Sequence, residues 1–135
     1  MTINNEKPSI YSVLYWLVQD KKVDSQVFFN FLEFFWPTFM VYENYVFLSE
    51  NFSEEKFNNL IKQNKEEVEF WMNLLLTDPY FEDDNWKERA KSLAQSLVAI
   101  WQLKLKNDFP DMKFIVKYIY DSENGDYGLT FYRDS

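Results

Sequence analysis

The sequence predicts an α+β fold: four main helices packed on a small antiparallel sheet made of two β-hairpins, in the order ααββααββ. Three observations lead there. Apolar residues recur at helical spacing over four stretches, each opened by a capping residue. Two further stretches are short, apolar and centred on turn residues. And 14 Phe, 9 Tyr and 5 Trp in 135 residues supply a large core, at roughly 1.5–3 kcal/mol for each fully buried Phe-sized side chain. With two Gly, four Pro, no repeat and no Gly/Ser tract, residues 1–135 read as a single compact domain.

Ser9 is placed to cap a first helix to about Asp20, with Ile10, Val13, Leu14 and Leu17 on one face. Asp24 caps a second helix to about Trp36, which Pro37 ends, and Val23 and Phe28 are spaced as a hydrophobic staple. Along this helix only Gln26, Asn30 and Glu33 are polar. So narrow a polar stripe places the helix either at the centre of the core or in a homodimer seam. Residues 38–42 and 45–48 read as strands around Glu43-Asn44. Ser53 caps a long third helix to about Leu76, with the stripe Phe57, Leu60, Ile61, Val68, Trp71, Met72 and Leu75. Asn85 and Glu88 fit a capping box for a fourth helix to about Asn107, and Asp108-Phe109-Pro110 stops it. The C-terminal hairpin is expected to turn at Asn124-Gly125, with Tyr118 opposite Phe131, Tyr120 opposite Leu129 and Lys117 opposite Tyr132.

There is no His and no Cys. This excludes Ser-His-Asp and Cys-His mechanisms, His-based general catalysis, His/Cys zinc sites and disulfides. Gly125 and Gly128, the only glycines, both lie in the last hairpin, so neither a Walker loop nor a dinucleotide fingerprint can be drawn. No catalytic residue, cofactor or metal site is assigned, and the balance leans away from an enzyme. The net charge of −8 repels phosphate backbones and anionic membranes. Lys104, Lys106, Lys113 and Lys117, interrupted by Asp108 and Asp111, read as a solvated face. The absence of Cys and of a signal-peptide pattern in residues 10–18 leads to an expected cytoplasmic location. Residues 27–42, the most apolar window, are too broken by Asn30, Glu33 and Pro37 to span a bilayer.

Carboxylate chemistry survives this filter, in three clusters. Glu66, Glu67 and Glu69 with Asn73 read as the solvated face of the third helix, although Glu69 and Asn73 lie one turn apart beside aromatics. Asp121, Glu123 and Asp126 crowd the hairpin tip, where turn propensity explains them without a cation. Glu33 reads as a hydrogen-bonded or exposed acid on the polar stripe with Gln26 and Asn30.

The segment most suggestive of a partner is the loop carrying Asp78, Tyr80, Phe81, Glu82, Asp83 and Asp84, which joins acids to aromatics with no basic residue. The expected function is a non-enzymatic protein-binding module of inhibitor or immunity type, whose acidic surface meets a basic partner. Two alternatives stand beside it: a carboxylate-dependent enzyme or hard-metal binder, and a small-ligand-binding domain with an aromatic pocket.

Overall fold

The structure, a computed structural model, describes Lys7 and residues 9–63 and 65–134. The described residues up to Phe34 form one compact unit and those from Phe35 onward a second. The chain is α+β, with two small antiparallel sheets.

The first unit holds helix α1 (Ile10–Gln19) and all but the last residue of α2 (Gln26–Phe35). Ser9 caps α1 through its hydroxyl oxygen, which accepts from the Ser12 N–H. At the other end the Lys22 N–H donates to Leu17 O and the Lys21 N–H to Val18 O, with Lys21 at φ 60°. This is the paired-bond stop in which the left-handed position usually falls to glycine. Asp24 then opens α2, its Oδ1 accepting from the Gln26 N–H at 2.8 Å. The expected central core position of this helix is overturned: no residue of α2 is buried, and Phe29 and Leu32 are more than half exposed. A narrow polar stripe says that a helix needs cover and leaves open what supplies it.

In the second unit, strands β1 (Phe39–Tyr42) and β2 (Tyr45–Leu48) pair in the register Tyr42 to Tyr45 and Phe39 to Leu48. Glu43 and Asn44 sit at φ 53° and 70°, the two left-handed positions that a two-residue turn of the twist-matched type demands. Helix α3 (Glu54–Gln63) follows, with the Ser53 hydroxyl oxygen accepting from the Lys56 N–H.

The long third helix expected to Leu76 is broken. Residues 65–67 tighten into a 3-10 turn, α4 (Val68–Met72) is a short helix, and Leu75–Leu76 leave it as strand β3. Sheet pairing wins over helical periodicity here: Leu75 pairs with Leu129 and Leu76 with Gly128. Trp71, expected on the buried stripe, is instead 46% exposed, while Val68 and Met72 are buried.

Helix α5 (Trp86–Asp108) buries Ala90, Ala94, Leu97, Trp101 and Leu105 against strands β4 (Phe114–Asp121) and β5 (Asp126–Arg133). The expected Asn85–Glu88 capping box does not form. Asn85 sits at φ −99°, ψ 19°, outside the extended conformation that aims a capping side chain at the first-turn N–H groups. Strand order is β3-β5-β4, and the two hairpins stay in separate sheets rather than forming one.

The C-terminal register also differs from expectation. Val116 faces Phe131, Tyr118 faces Leu129 and Lys117 faces Thr130, because the loop spans four residues between Asp121 and Asp126. Asp121 builds that loop: its O accepts from the Gly125 N–H, and its Oδ1 from the N–H groups of Glu123 and Asn124. A shift of two residues keeps every side chain on its expected face, which is why the alternation looked right with the wrong partners.

The sheet is covered on both faces. Phe131 meets Trp101 edge to face at 6.1 Å and Phe39 of β1 at 5.2 Å. On the other face Thr130 donates its hydroxyl to Phe70 O and Tyr132 packs on Phe70. A second cluster joins Phe47, Phe57, Val68 and Met72, with Tyr42, Tyr45 and Phe52 packed against it.

Gly128 permits the β3–β5 approach, since a Cβ there would lie 2.4 Å from Leu75 O. Gly128→Ala is expected to cost about 1–3 kcal/mol in urea unfolding through this overpacking. Gly125→Ala, at φ 70° in open space, should cost about 1 kcal/mol from backbone strain alone. A Gly128→Ala protein as stable as wild type contradicts the β3 pairing.

Candidate functional site

The acid cluster of α4 is not the solvated face that its sequence suggests. Glu66 and Glu67 are exposed, but Glu69 is 8% exposed and Asn73 fully buried. Glu69 Oε2 accepts from the Val46 N–H and Oε1 from the Arg133 N–H, both at 2.8 Å. Asn73 Oδ1 accepts from the Leu48 N–H at 2.9 Å, and its Nδ2 donates to Val46 O at 3.0 Å and Phe131 O at 3.2 Å. These partners belong to the edge of β2 turned away from β1 and to the part of β5 that β3 does not cover. Both oxygens of Glu69 are therefore committed to backbone, which assigns the residue to architecture rather than to acid–base work.

The loop 78–84 is rooted with similar economy. The Thr77 N–H donates to Tyr127 O at 2.7 Å and the Thr77 hydroxyl to Ala90 O at 2.8 Å, tying the loop base to β5 and α5. Asp78 Oδ1 accepts from the Tyr127 N–H at 3.0 Å, so this acid is an anchor rather than a free charge. Pro79 sits second in a single 3-10 turn over Asp78–Tyr80. Tyr80, its last residue, is 59% exposed, and beyond it Phe81 is half-buried and Glu82, Asp83 and Asp84 are exposed. Asp83 forms an ion pair with Arg89 at 3.1 Å, and Trp86 packs edge to face on Tyr127. The loop thus presents one aromatic and three acids from a base fixed at both ends.

The other sequence candidates fall into place around these two. A cleft of about 340 Å³ is lined by Tyr45, Glu66, Glu67, Glu69, Phe70, Lys117, Tyr132 and Arg133. Of its acids, Glu69 is bound as above and Glu67 accepts from the Trp71 indole N–H at 3.2 Å. Arg133 donates from Nη2 to Asn44 O, holding the first turn against β5. At the hairpin tip Asp121 is taken up by loop N–H groups, and among the described residues no group of three or more His, Cys, Asp or Glu gathers to hold a metal. Glu33 is half-buried, and Gln26 donates to Asn30 along the same stripe. Lys104 departs from the expected solvated face: its ammonium lies 5.8 Å from the Trp36 ring and 5.4 Å from the Phe39 ring while pairing with Asp108. Aromatic packing and the acid one turn away draw it down. No helix of the described residues is long and apolar enough to cross a membrane.

Comparison with family models, with curated proteins and with solved structures finds no match.

Three phenols are held above the ordinary tyrosine range. Burial does most of this at Tyr42, Tyr118 and Tyr127. At Tyr42 the hydrogen bond to Glu54 and its negative charge add to it, and at Tyr127 the neighbouring Tyr120 does. A raised folded-state value means that the folded chain keeps these protons after the unfolded chain has lost them. Their contribution is therefore complete below the unfolded value of about 10 and is lost as pH rises beyond it. Urea midpoints should be flat just below about pH 10 and fall above it, and Glu54→Gln should make the fall shallower. Stability that rises through that window contradicts the assignment.

Proposed function

We propose that the chain is a non-enzymatic protein-binding module that meets a basic partner through acidic surface including the loop 78–84. The observation that carries this reading is Tyr80, 59% exposed on a doubly anchored loop beside the exposed Glu82, Asp83 and Asp84. A large aromatic held in water by a fixed backbone loses little conformational freedom on binding, which is the property of an interface anchor. The three acids and the chain's net charge of −8 supply long-range attraction for a cationic surface and repulsion for nucleic acid. An inhibitor or immunity-type role fits such a surface, since charge steering speeds capture and an aromatic anchor slows release.

Peptides displayed on phage and selected on the wild-type chain test it. Selected sequences should be rich in Lys and Arg, and their association should slow steeply as the Debye length shortens from about 10 Å at 0.1 M salt to about 3 Å at 1 M. Glu82→Lys with Asp84→Lys should abolish capture, and Tyr80→Ala should raise the dissociation rate about tenfold, a loss of about 1.4 kcal/mol. Selected peptides without basic residues, or binding indifferent to both variants, would sink the proposal.

A further inference from the structure

Water meets an unusual amount of apolar surface on α1 and α2. Ile10, Tyr11, Tyr15, Trp16, Phe29 and Leu32 are each more than half exposed, and α1 contains no charged residue while α2 contains only Glu33. A helix apolar on nearly every side is stable in water only when something covers it. At the roughly 150–250 Å² that a large aromatic brings to a contact, the exposed parts of these six side chains amount to on the order of 800 Å². Summed over both helices, this is comparable with the share that each partner gives to a standard stable interface, about 800 Å².

The charge distribution selects the occupant. Of the net −8, residues 10–35 carry −1, from Asp20, Asp24 and Glu33 against Lys21 and Lys22. A basic protein drawn by the rest of the chain finds almost no counter-charge here. An anionic lipid surface would require a row of Lys or Arg along the polar face, and the only two lie in the turn between the helices. For a second copy the same facts are favourable: two near-neutral apolar faces meet with little repulsion and bury few charges, and a two-fold pairing lets one patch satisfy itself. Each side of α1 also has relief to receive side chains. One groove is lined by Ser12, Val13, Trp16 and Leu17 and closed at its end by Asp20 and Lys22, and the other by Tyr11, Leu14, Tyr15, Val18, Gln19 and Phe28.

We infer that α1 and α2 form the seam of a homodimer. This stands apart from the acidic-loop reading, because it uses different residues and a different force.

Sedimentation equilibrium of the full chain, from low to high micromolar concentration, tests the seam. Wild type should sediment at twice the chain mass, and the association should hold or strengthen at 1 M salt, because apolar contacts are not screened. Phe29→Lys with Leu32→Lys on α2, and separately Tyr11→Lys with Trp16→Lys on α1, should each weaken dimerisation at least tenfold. Circular dichroism and urea unfolding of the variants serve as the check on folding. Glu82→Lys with Asp84→Lys should leave the dimer intact, which keeps failure of the seam distinct from failure of the loop. A wild-type monomer throughout overturns the inference, whether its face is then found on neutral lipid vesicles or folded against residues 35–135 of its own chain. A dimer unchanged in both folded helix variants overturns it equally.

Discussion

The second unit of this protein depends on two polar side chains set one helical turn apart, Glu69 on a helix only five residues long and Asn73 capping that helix's C-terminal end. Between them they satisfy five backbone groups: the N–H and O of Val46, the N–H of Leu48, the O of Phe131 and the N–H of Arg133. The two sheets do not share a strand, so these groups lie on edges that would otherwise be buried unpaired, at about 1–3 kcal/mol each. A carboxylate, which accepts twice, and an amide, which both accepts and donates, together offer the pattern that a missing strand would have offered. Neither Gln at 69 nor Asp at 73 reproduces it.

Other features follow from that bridge. It fixes β2 against β5, which lets Phe39 of the first hairpin reach Phe131 and Phe109 in the core of the second. It also fixes where the chain goes after α4. Leu75 and Leu76 must run beside β5, and the glycine at 128 lets them come close enough to pair. Thr77 and Asp78 then inherit that placement and bind Tyr127, so the proposed docking loop leaves the sheet from a fixed base. Stiffness in the loop is thus a product of buried polar pairing several residues upstream.

Local chemistry was legible in the sequence and long-range pairing was not. Ser9, Asp24 and Ser53 cap helices as their positions suggest, and Glu43-Asn44 turns the first hairpin, because each depends on neighbours within four residues. The faces of the last hairpin were also readable, since alternation survives a two-residue slip. Its partners were not, because Asp121 makes a four-residue loop that competes with the expected Asn124-Gly125 turn. The break after α3 was hidden for a related reason: residues 57–75 hold helical periodicity, and only the distant edge of β5 pulls Leu75 out of it. Glu69 was the most misleading residue, one acid among three in a charged run, whose burial is decided by N–H groups 23 and 64 positions away. For the loop 78–84 the sequence showed the composition, and only the structure separates Asp78, an anchor, from Glu82 and Asp84 at the surface.

If Glu69 and Asn73 do join the sheets into one cooperative unit, native-state hydrogen exchange of the wild-type chain measures it directly. The amides of Val46, Leu48 and Arg133, which donate to those two side chains, should open with the same free energy as the amides around Trp101 in α5. They should also share the same dependence on denaturant, as groups do that are released only by global unfolding. Val46 and Leu48 amides that exchange through a smaller, denaturant-independent opening while Arg133 and α5 stay protected would show the first hairpin to be an independent flap, and would contradict the bridge.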